Sequence, residues 1–217
     1  MTYSEELDNT RITLNGKQVG GHTTRTVADM LTNLPVLVES VANIPIGCGF
    51  GASGAGALGT AYALNEALCL NLTSAKIIET AHVAEVINRS GLGDVIAQSY
   101  GGVVIRTAPG APEYGKVDWI PVARKEVLCL PLGELDTGSI ISDPDLVWRI
   151  TSMGKGAMKK LMIAPTFETF MQCSRDFAIG TGLASDAIID IIEAVGSAGG
   201  LASQAMLGES VFAIADS

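Results

Sequence analysis

Between Pro45 and Gly56 the chain reads Pro45-Ile46-Gly47-Cys48-Gly49-Phe50-Gly51-Ala52-Ser53-Gly54-Ala55-Gly56. From Gly47 onward only Cys48 and Phe50 interrupt a run of glycine and small residues. Helix-forming residues follow directly: Ala55, Ala57, Leu58, Ala61, Ala63, Leu64, Ala67 and Leu68, spaced by three and four. Glycines let backbone approach a ligand closely and adopt positive φ. The start of a helix offers unpaired amides and about half a positive charge. The two together make an anion site, to which the Ser53 hydroxyl adds a donor for phosphate or a ligand for magnesium.

Three readings compete for this loop. A Walker A loop needs a lysine beside its last glycine, and none occurs between Lys17 and Lys76. Gly49-x-Gly51-x-x-Gly54 fits a dinucleotide fingerprint in form, but that motif needs a second strand about 20 residues on, where this sequence predicts helix after helix. The third reading is tight helix packing through glycine and alanine, with no ligand.

Upstream of the loop, Arg11 to Leu14 ends at Asn15-Gly16 and predicts a hairpin. Thr26 to Leu31 predicts a short helix and Val36 to Ile44 a strand closed by Pro45. Downstream, a helix is expected over Thr73 to Arg89, capped by Thr73 or Ser74 and ended before Gly91 and Gly93. Asp94 reads as the cap of a helix running to Tyr100. Strands are expected at Val103 to Thr107, Trp119 to Val122 and Val127 to Leu130. Asp143-Pro144 opens a helix through Met162, Thr166 one to about Ile179, and Asp186 one to about Val195. Two short strands then flank Met206-Leu207-Gly208-Glu209. The character shifts near Arg124 to Glu126, which divides the α+β chain into residues 1–125 and 126–217.

The chain has 217 residues, 47% of them hydrophobic and 17% charged, a balance that supports a packed core. Its net charge of −9 argues against nucleic acid or an anionic membrane as partner, since both need a basic footprint. No apolar run approaches the roughly 20 residues of a membrane span. The opening Met1 to Glu6 is acidic and polar, unlike a secretory signal, so a cytoplasmic protein is expected. Cys48, Cys69, Cys129 and Cys173 form no C-x-x-C pair and read as reduced thiols, mostly buried.

Pro45-Ile46-Gly47-x-Gly49-Phe50-Gly51-Ala52-Ser53-Gly54-Ala55 resembles the second motif of the GHMP kinases, P-x-x-x-G-L-G-S-S-A-A. Ser90-Gly91-Leu92-Gly93-Asp94, followed by Gly101-Gly102, resembles that family's acceptor-side segment. Ala81-His82-Val83-Ala84-Glu85-Val86 and Ala202-Ser203-Gln204-Ala205-Met206-Leu207-Gly208-Glu209-Ser210 are most similar in wording to the archaeal pantoate kinase branch.

The resemblance implies a two-domain GHMP kinase-like fold, with an N-terminal half like domain 2 of ribosomal protein S5 and a ferredoxin-like C-terminal half. It implies transfer of the γ-phosphate of ATP to the 4-hydroxyl of pantoate, on the way to coenzyme A. Gly47, Gly49, Gly51, Ala52, Ser53, Gly54, Ala55 and Gly56 would hold ATP, and Ser53 with Glu85 would hold Mg2+. Asp94 would orient or deprotonate the hydroxyl, and His82 and Arg106 would face the substrate carboxylate. A homodimer is also implied. Relative to the family, the chain looks shortened at both ends, with no proline-containing first motif.

The residues allow blander roles. Glu85 could pair with Arg89 on the surface, His82 could be a half-buried helix histidine, and Arg106 could face solvent. The alternatives to a pantoate kinase are a GHMP kinase acting on another small hydroxy acid or alcohol, and a non-catalytic nucleotide-binding relative.

Overall fold

The computed structural model describes residues 7–91, 93–135 and 137–215. The acidic opening Met1 to Glu6, and Leu92 of the acceptor-side motif, lie outside the described residues. The chain divides into two compact units, one of Met1–Ile44 with Gly51–Asp118, the other of Pro45–Phe50 with Trp119–Ser217.

The first unit opens with β1 (Arg11–Leu14) and β2 (Lys17–Gln18), an antiparallel hairpin turned at Asn15 and Gly16, both at positive φ. That is the geometry an Asn-Gly turn is suited to. Helix α1 (His22–Leu31) begins four residues before the expected Thr26, because Gly21 in the left-handed region already turns the chain into it. Strand β3 (Leu37–Ser40) is much shorter than the expected Val36 to Ile44 and pairs in parallel with β1. Val41 lies beyond the last pair, Leu14 with Ser40, and is exposed, so its β propensity finds no partner.

Three helices form the middle of this unit: α2 (Ala52–Ala67), α3 (Ser74–Asn88) and α4 (Asp94–Tyr100). α2 turns Gly54, Ala57, Ala61 and Leu64 inward, and these small residues let α1, α3 and α4 approach it closely. Val27, Ala57, Ala61, Ile77, Ala81, Ala84 and Val95 close into one core there. Each buried Val or Ile contributes roughly 1.5–3 kcal/mol by leaving water. Thr73 caps α3 by accepting from the Lys76 amide. Gly93, not Asp94, is the cap of α4: Asp94 is its first helical residue, which frees its carboxylate from capping. β4 (Val103–Ala108) then pairs with β5 (Lys116–Ile120). β5 starts earlier than the expected Trp119, and the Thr107 hydroxyl donates to the Lys116 carbonyl at 3.3 Å.

The second unit holds β6 (Glu126–Gly133), α5 (Thr137–Ser142), α6 (Pro144–Ile163), α7 (Phe167–Thr181), α8 (Asp186–Ser197), β7 (Leu201–Gln204) and β8 (Glu209–Ala215). Its antiparallel sheet runs β6-β8-β7. The core is Ile188 and Ile192 of α8 packed on Ala202 and Val211. Asp143, Thr166 and Ser185 cap α6, α7 and α8 through their side chains. The short α5 was not expected, for its Thr-Gly-Ser start carries no helix period.

Two of the four cysteines, Cys69 and Cys129, are exposed rather than buried; Cys69 sits at positive φ just past the end of α2, and Cys129 on the exposed strand β6.

Candidate functional site

The residues singled out between Gly51 and Arg106 all belong to the first unit. The site starts where α2 starts. Gly51 stands in the left-handed conformation with φ 69°, and no side chain caps the first turn of the helix. No acidic residue occupies that turn either. Among the longer helices α3, α6, α7 and α8 are all capped by a hydroxyl or a carboxylate, so α2 shares an open N-terminus only with α1. An uncapped helix start leaves amides for an external anion.

Glycine at three positions is a requirement of close packing. A Cβ at Gly54 would lie 3.1 Å from Asp94 Cβ, 3.2 Å from the Val95 nitrogen and 3.3 Å from Glu85 Oε2. One at Gly91 would lie 2.7 Å from Glu85 Oε2, and one at Gly93 would lie 2.8 Å from Arg106 Nη1. These contacts put Glu85, Asp94 and the first turn of α2 in one place, with Arg106 beside Gly93.

Glu85 is fully buried on α3, and neither carboxylate oxygen has a hydrogen-bond partner among the described residues. Burial first, and the neighbouring Asp94 second, raise its pKa to about 7. The Ser53 hydroxyl and the Val95 amide pull in the other direction, although neither reaches the carboxylate with hydrogen-bond geometry. A buried charge of this kind is costly unless something positive compensates it. The burial disposes of a surface pair with Arg89.

Burial also raises the pKa of Asp94, offset in part by Arg106. Burial lowers that of His82, and the Arg106 charge lowers it further, so the imidazole is neutral at neutral pH. His82 is 7% exposed, with Nδ1 buried and without a hydrogen-bond partner among the described residues, which is more enclosed than a half-buried helix histidine. Arg106, half-buried on β4, reaches the Gly110 carbonyl at 3.4 Å rather than projecting into solvent. Burial lowers its pKa, and Asp94 opposes the shift.

Ser53 sits one residue into α2, and its Oγ donates to Thr23 Oγ1 at 3.4 Å, which meets Ser90 Oγ at 2.8 Å. Ala52, Gly54, Ala55 and Gly56 follow on the same helix. Gly47 and Gly49 instead belong to the second unit, where Gly47 accepts from the Leu135 amide at 3.1 Å. Two further residues near the site were not singled out from the sequence. Gln98 donates from Nε2 to the Gly51 carbonyl at 2.9 Å and pins the left-handed residue, and Thr23 orients the Ser53 hydroxyl from α1. Only the α4 period, which places Gln98 one turn after Asp94, points to the former.

Among the described residues no cluster of three or more His, Cys, Asp or Glu side chains is arranged to hold a metal ion. A cation that takes most of its oxygens from phosphates and water still fits, because it asks for only one or two protein ligands. The orphaned Glu85 carboxylate beside Ser53 meets that need.

An open helix start next to a buried carboxylate, a half-buried one and a guanidinium is the equipment of phosphate-handling proteins. The GHMP kinases N terminal domain matches residues 19–102. The pantoate kinase of Thermococcus kodakarensis is 38% identical over 173 residues, 79% of this chain and 57% of that protein. The pantoate kinase of Methanocaldococcus jannaschii is 39% identical over 174 residues, 80% of this chain and 62% of that protein. The chain thus spans 57–62% of the length of these two curated relatives. A solved phosphotransferase related to the coenzyme A biosynthesis pathway superposes with a TM-score of 0.83 at 35% identity, covering 95% of this chain and 70% of that one. A homoserine kinase from Cytophaga hutchinsonii has the same fold, with a TM-score of 0.70 at 19% identity, over 98% of this chain and 74% of that one. The chain belongs to the GHMP kinase family, with its α+β fold. The dinucleotide-binding reading of the loop falls, since α3 follows α2 with no strand between them.

Proposed function

We propose that this chain phosphorylates the hydroxyl of pantoate to 4-phosphopantoate at the expense of ATP, an archaeal, cytoplasmic step towards coenzyme A. The observation that carries the proposal is the buried Glu85 carboxylate, without a hydrogen-bond partner among the described residues, beside the uncapped start of α2 and next to Asp94. The likeness to pantoate kinases at 38–39% identity supports the acceptor.

In this reading the amides from Gly51 to Gly54 bind the ATP phosphates, with Ala55 and Gly56 continuing the helix behind them and Gly47 and Gly49 in the segment that leads into them. Ser53 and Glu85 would hold Mg2+, which when bound would neutralise charge on the phosphates. A raised pKa on Glu85 suits a site whose charged form is stabilised only when a cation arrives. Asp94 orients the acceptor hydroxyl and takes its proton as the hydroxyl oxygen bonds to the γ-phosphorus. The bond from that phosphorus to the oxygen bridging to the β-phosphate breaks, and ADP leaves with that electron pair. Arg106 and neutral His82 take the pantoate carboxylate, the guanidinium by charge and the imidazole by a donated hydrogen bond. Phosphoryl transfer relies on positioning and charge more than on covalent help from the protein, which fits this sparse set. A homodimer in solution completes the reading, and sedimentation checks it.

Two variants test the assignment. Asp94→Ala is expected to lose pantoate-dependent ADP release by about a hundredfold or more while still binding magnesium-ATP. Arg106→Ala is expected to raise KM for pantoate by at least about tenfold, the mark of an anionic acceptor. Unchanged release in the first variant removes Asp94 from the chemistry, and an unchanged KM in the second shifts the acceptor to an uncharged alcohol.

A further inference from the structure

The Ser53 hydroxyl is one end of a chain of three hydroxyls within the first unit. A hydroxyl that ligates a cation turns its lone pairs to the metal, so its hydrogen needs an acceptor on another side. Thr23 supplies that acceptor. Its Oγ1 accepts from Ser53 Oγ at 3.4 Å and shares a second hydrogen bond with Ser90 Oγ at 2.8 Å. Thr23 is 8% exposed and is the second residue of α1, as Ser53 is the second residue of α2. Packing fixes α1 on two sides. One turn further along it, Asn88 Nδ2 donates to Thr26 Oγ1 at 2.8 Å and to the Ala84 carbonyl of α3 at 2.7 Å. Towards α2, a Cβ on Gly56 would stand 3.5 Å from Thr24 Oγ1. Ser90 lies just past the end of α3 and opens the segment that closes over Glu85 at Gly91 and leads to Asp94. The hydroxyls thus run from the start of α2, through α1, to the segment that carries Asp94.

We propose that Thr23 is a positioning residue for the metal-binding hydroxyl: it takes the Ser53 hydrogen, so that the Ser53 lone pairs face the cation, and joins that hydroxyl through Ser90 to the acceptor-side segment. This rests on the reading of Ser53 and Glu85 as magnesium ligands given above. With its own hydrogen on Ser90, Thr23 keeps lone pairs for Ser53. Without Ser90 it would be free to turn that hydrogen onto Ser53 and compete with the metal.

The test compares Thr23→Val, which keeps the shape and removes the hydroxyl, with Thr23→Ser, which keeps the hydroxyl. Pantoate-dependent ADP release is followed against free Mg2+. The half-saturating concentration is expected to rise on the order of tenfold in Thr23→Val with a smaller change in kcat, and to stay within about threefold in Thr23→Ser. Ser90→Ala should raise it less than Thr23→Val does. A second readout needs neither metal nor nucleotide: thermal denaturation of Thr23→Val, Ser53→Ala and the double variant. The double variant is expected to lose less Tm than the two single losses together, by about 2–4 °C. Unchanged half-saturation in Thr23→Val, or in Ser90→Ala should the former not fold, overturns the proposal. An equal rise in Thr23→Ser overturns it too, by tracing the effect to packing rather than to the hydroxyl, and additive Tm losses do so by parting Thr23 from Ser53. Coupled Tm losses in a chain that neither binds nor consumes magnesium-ATP would remove the magnesium reading, and this proposal with it, while leaving the hydroxyl contact in place.

Discussion

Glu85 carries the strongest electrostatic tension in the site. Its folded pKa is about 7 against an ordinary 4.5, raised first by burial and then by Asp94. A group raised in this way favours the folded state most fully below its unfolded value, and that contribution is lost as pH rises through the folded value. The metal-free chain is therefore expected to lose stability between about pH 5 and pH 8, with Asp94 acting in the same direction. Glu85→Gln should flatten that slope and raise Tm at pH 8 by about 3–6 °C, as read by thermal denaturation across pH. The same variant should lose magnesium-dependent turnover. A slope that survives the substitution would mean another group titrates. At this scale the sequence names candidate residues and is silent about their surroundings. The spacing of His82 and Glu85 puts them on one helix face, but nothing local tells that Gly91 closes over the carboxylate. Depth of burial is a property of the packed units, and it is what separates a buried Glu85 from a surface partner of Arg89.

At the scale of the element, α2 holds three glycines, Gly54, Gly56 and Gly59, and a pair of substitutions separates the roles of the first and the last. Gly54 faces Asp94, Val95 and Glu85 at 3.1–3.3 Å from where a Cβ would stand. Gly54→Ala is expected to destabilise by about 1–3 kcal/mol through overpacking, despite the better helix propensity of alanine. Gly59, exposed on the same helix with nothing within 4 Å, should behave in the opposite way. Gly59→Ala is expected to stabilise by about 0.5–1 kcal/mol. Urea denaturation of both variants checks the contrast, and equal effects would refute the assigned packing. Element existence was legible for α3, α6, α7 and α8, where apolar period and cap residues agree, and for α2 from its apolar period alone. It was less legible for β3 and β5, whose bounds depend on where a partner strand ends, and for α5, whose small polar residues carry no period.

At the scale of the whole molecule, each unit has its own core, and the chain passes from one unit to the other inside the glycine-rich loop. That non-local association of Pro45–Phe50 with residues from Trp119 onward is set by packing against the β7–β8 turn, which no local pattern can reveal. The order of motifs, by contrast, was readable from sequence because each is a short run of glycines with a defined neighbour. The proposed reaction is phosphoryl transfer from ATP to pantoate. The measurement that meets it most directly follows the γ-phosphate of isotopically labelled ATP in the presence of magnesium and pantoate. Label is expected in 4-phosphopantoate, matched one to one by ADP and abolished in Asp94→Ala. Bound ATP with no label reaching pantoate, or label appearing only as inorganic phosphate, would contradict it.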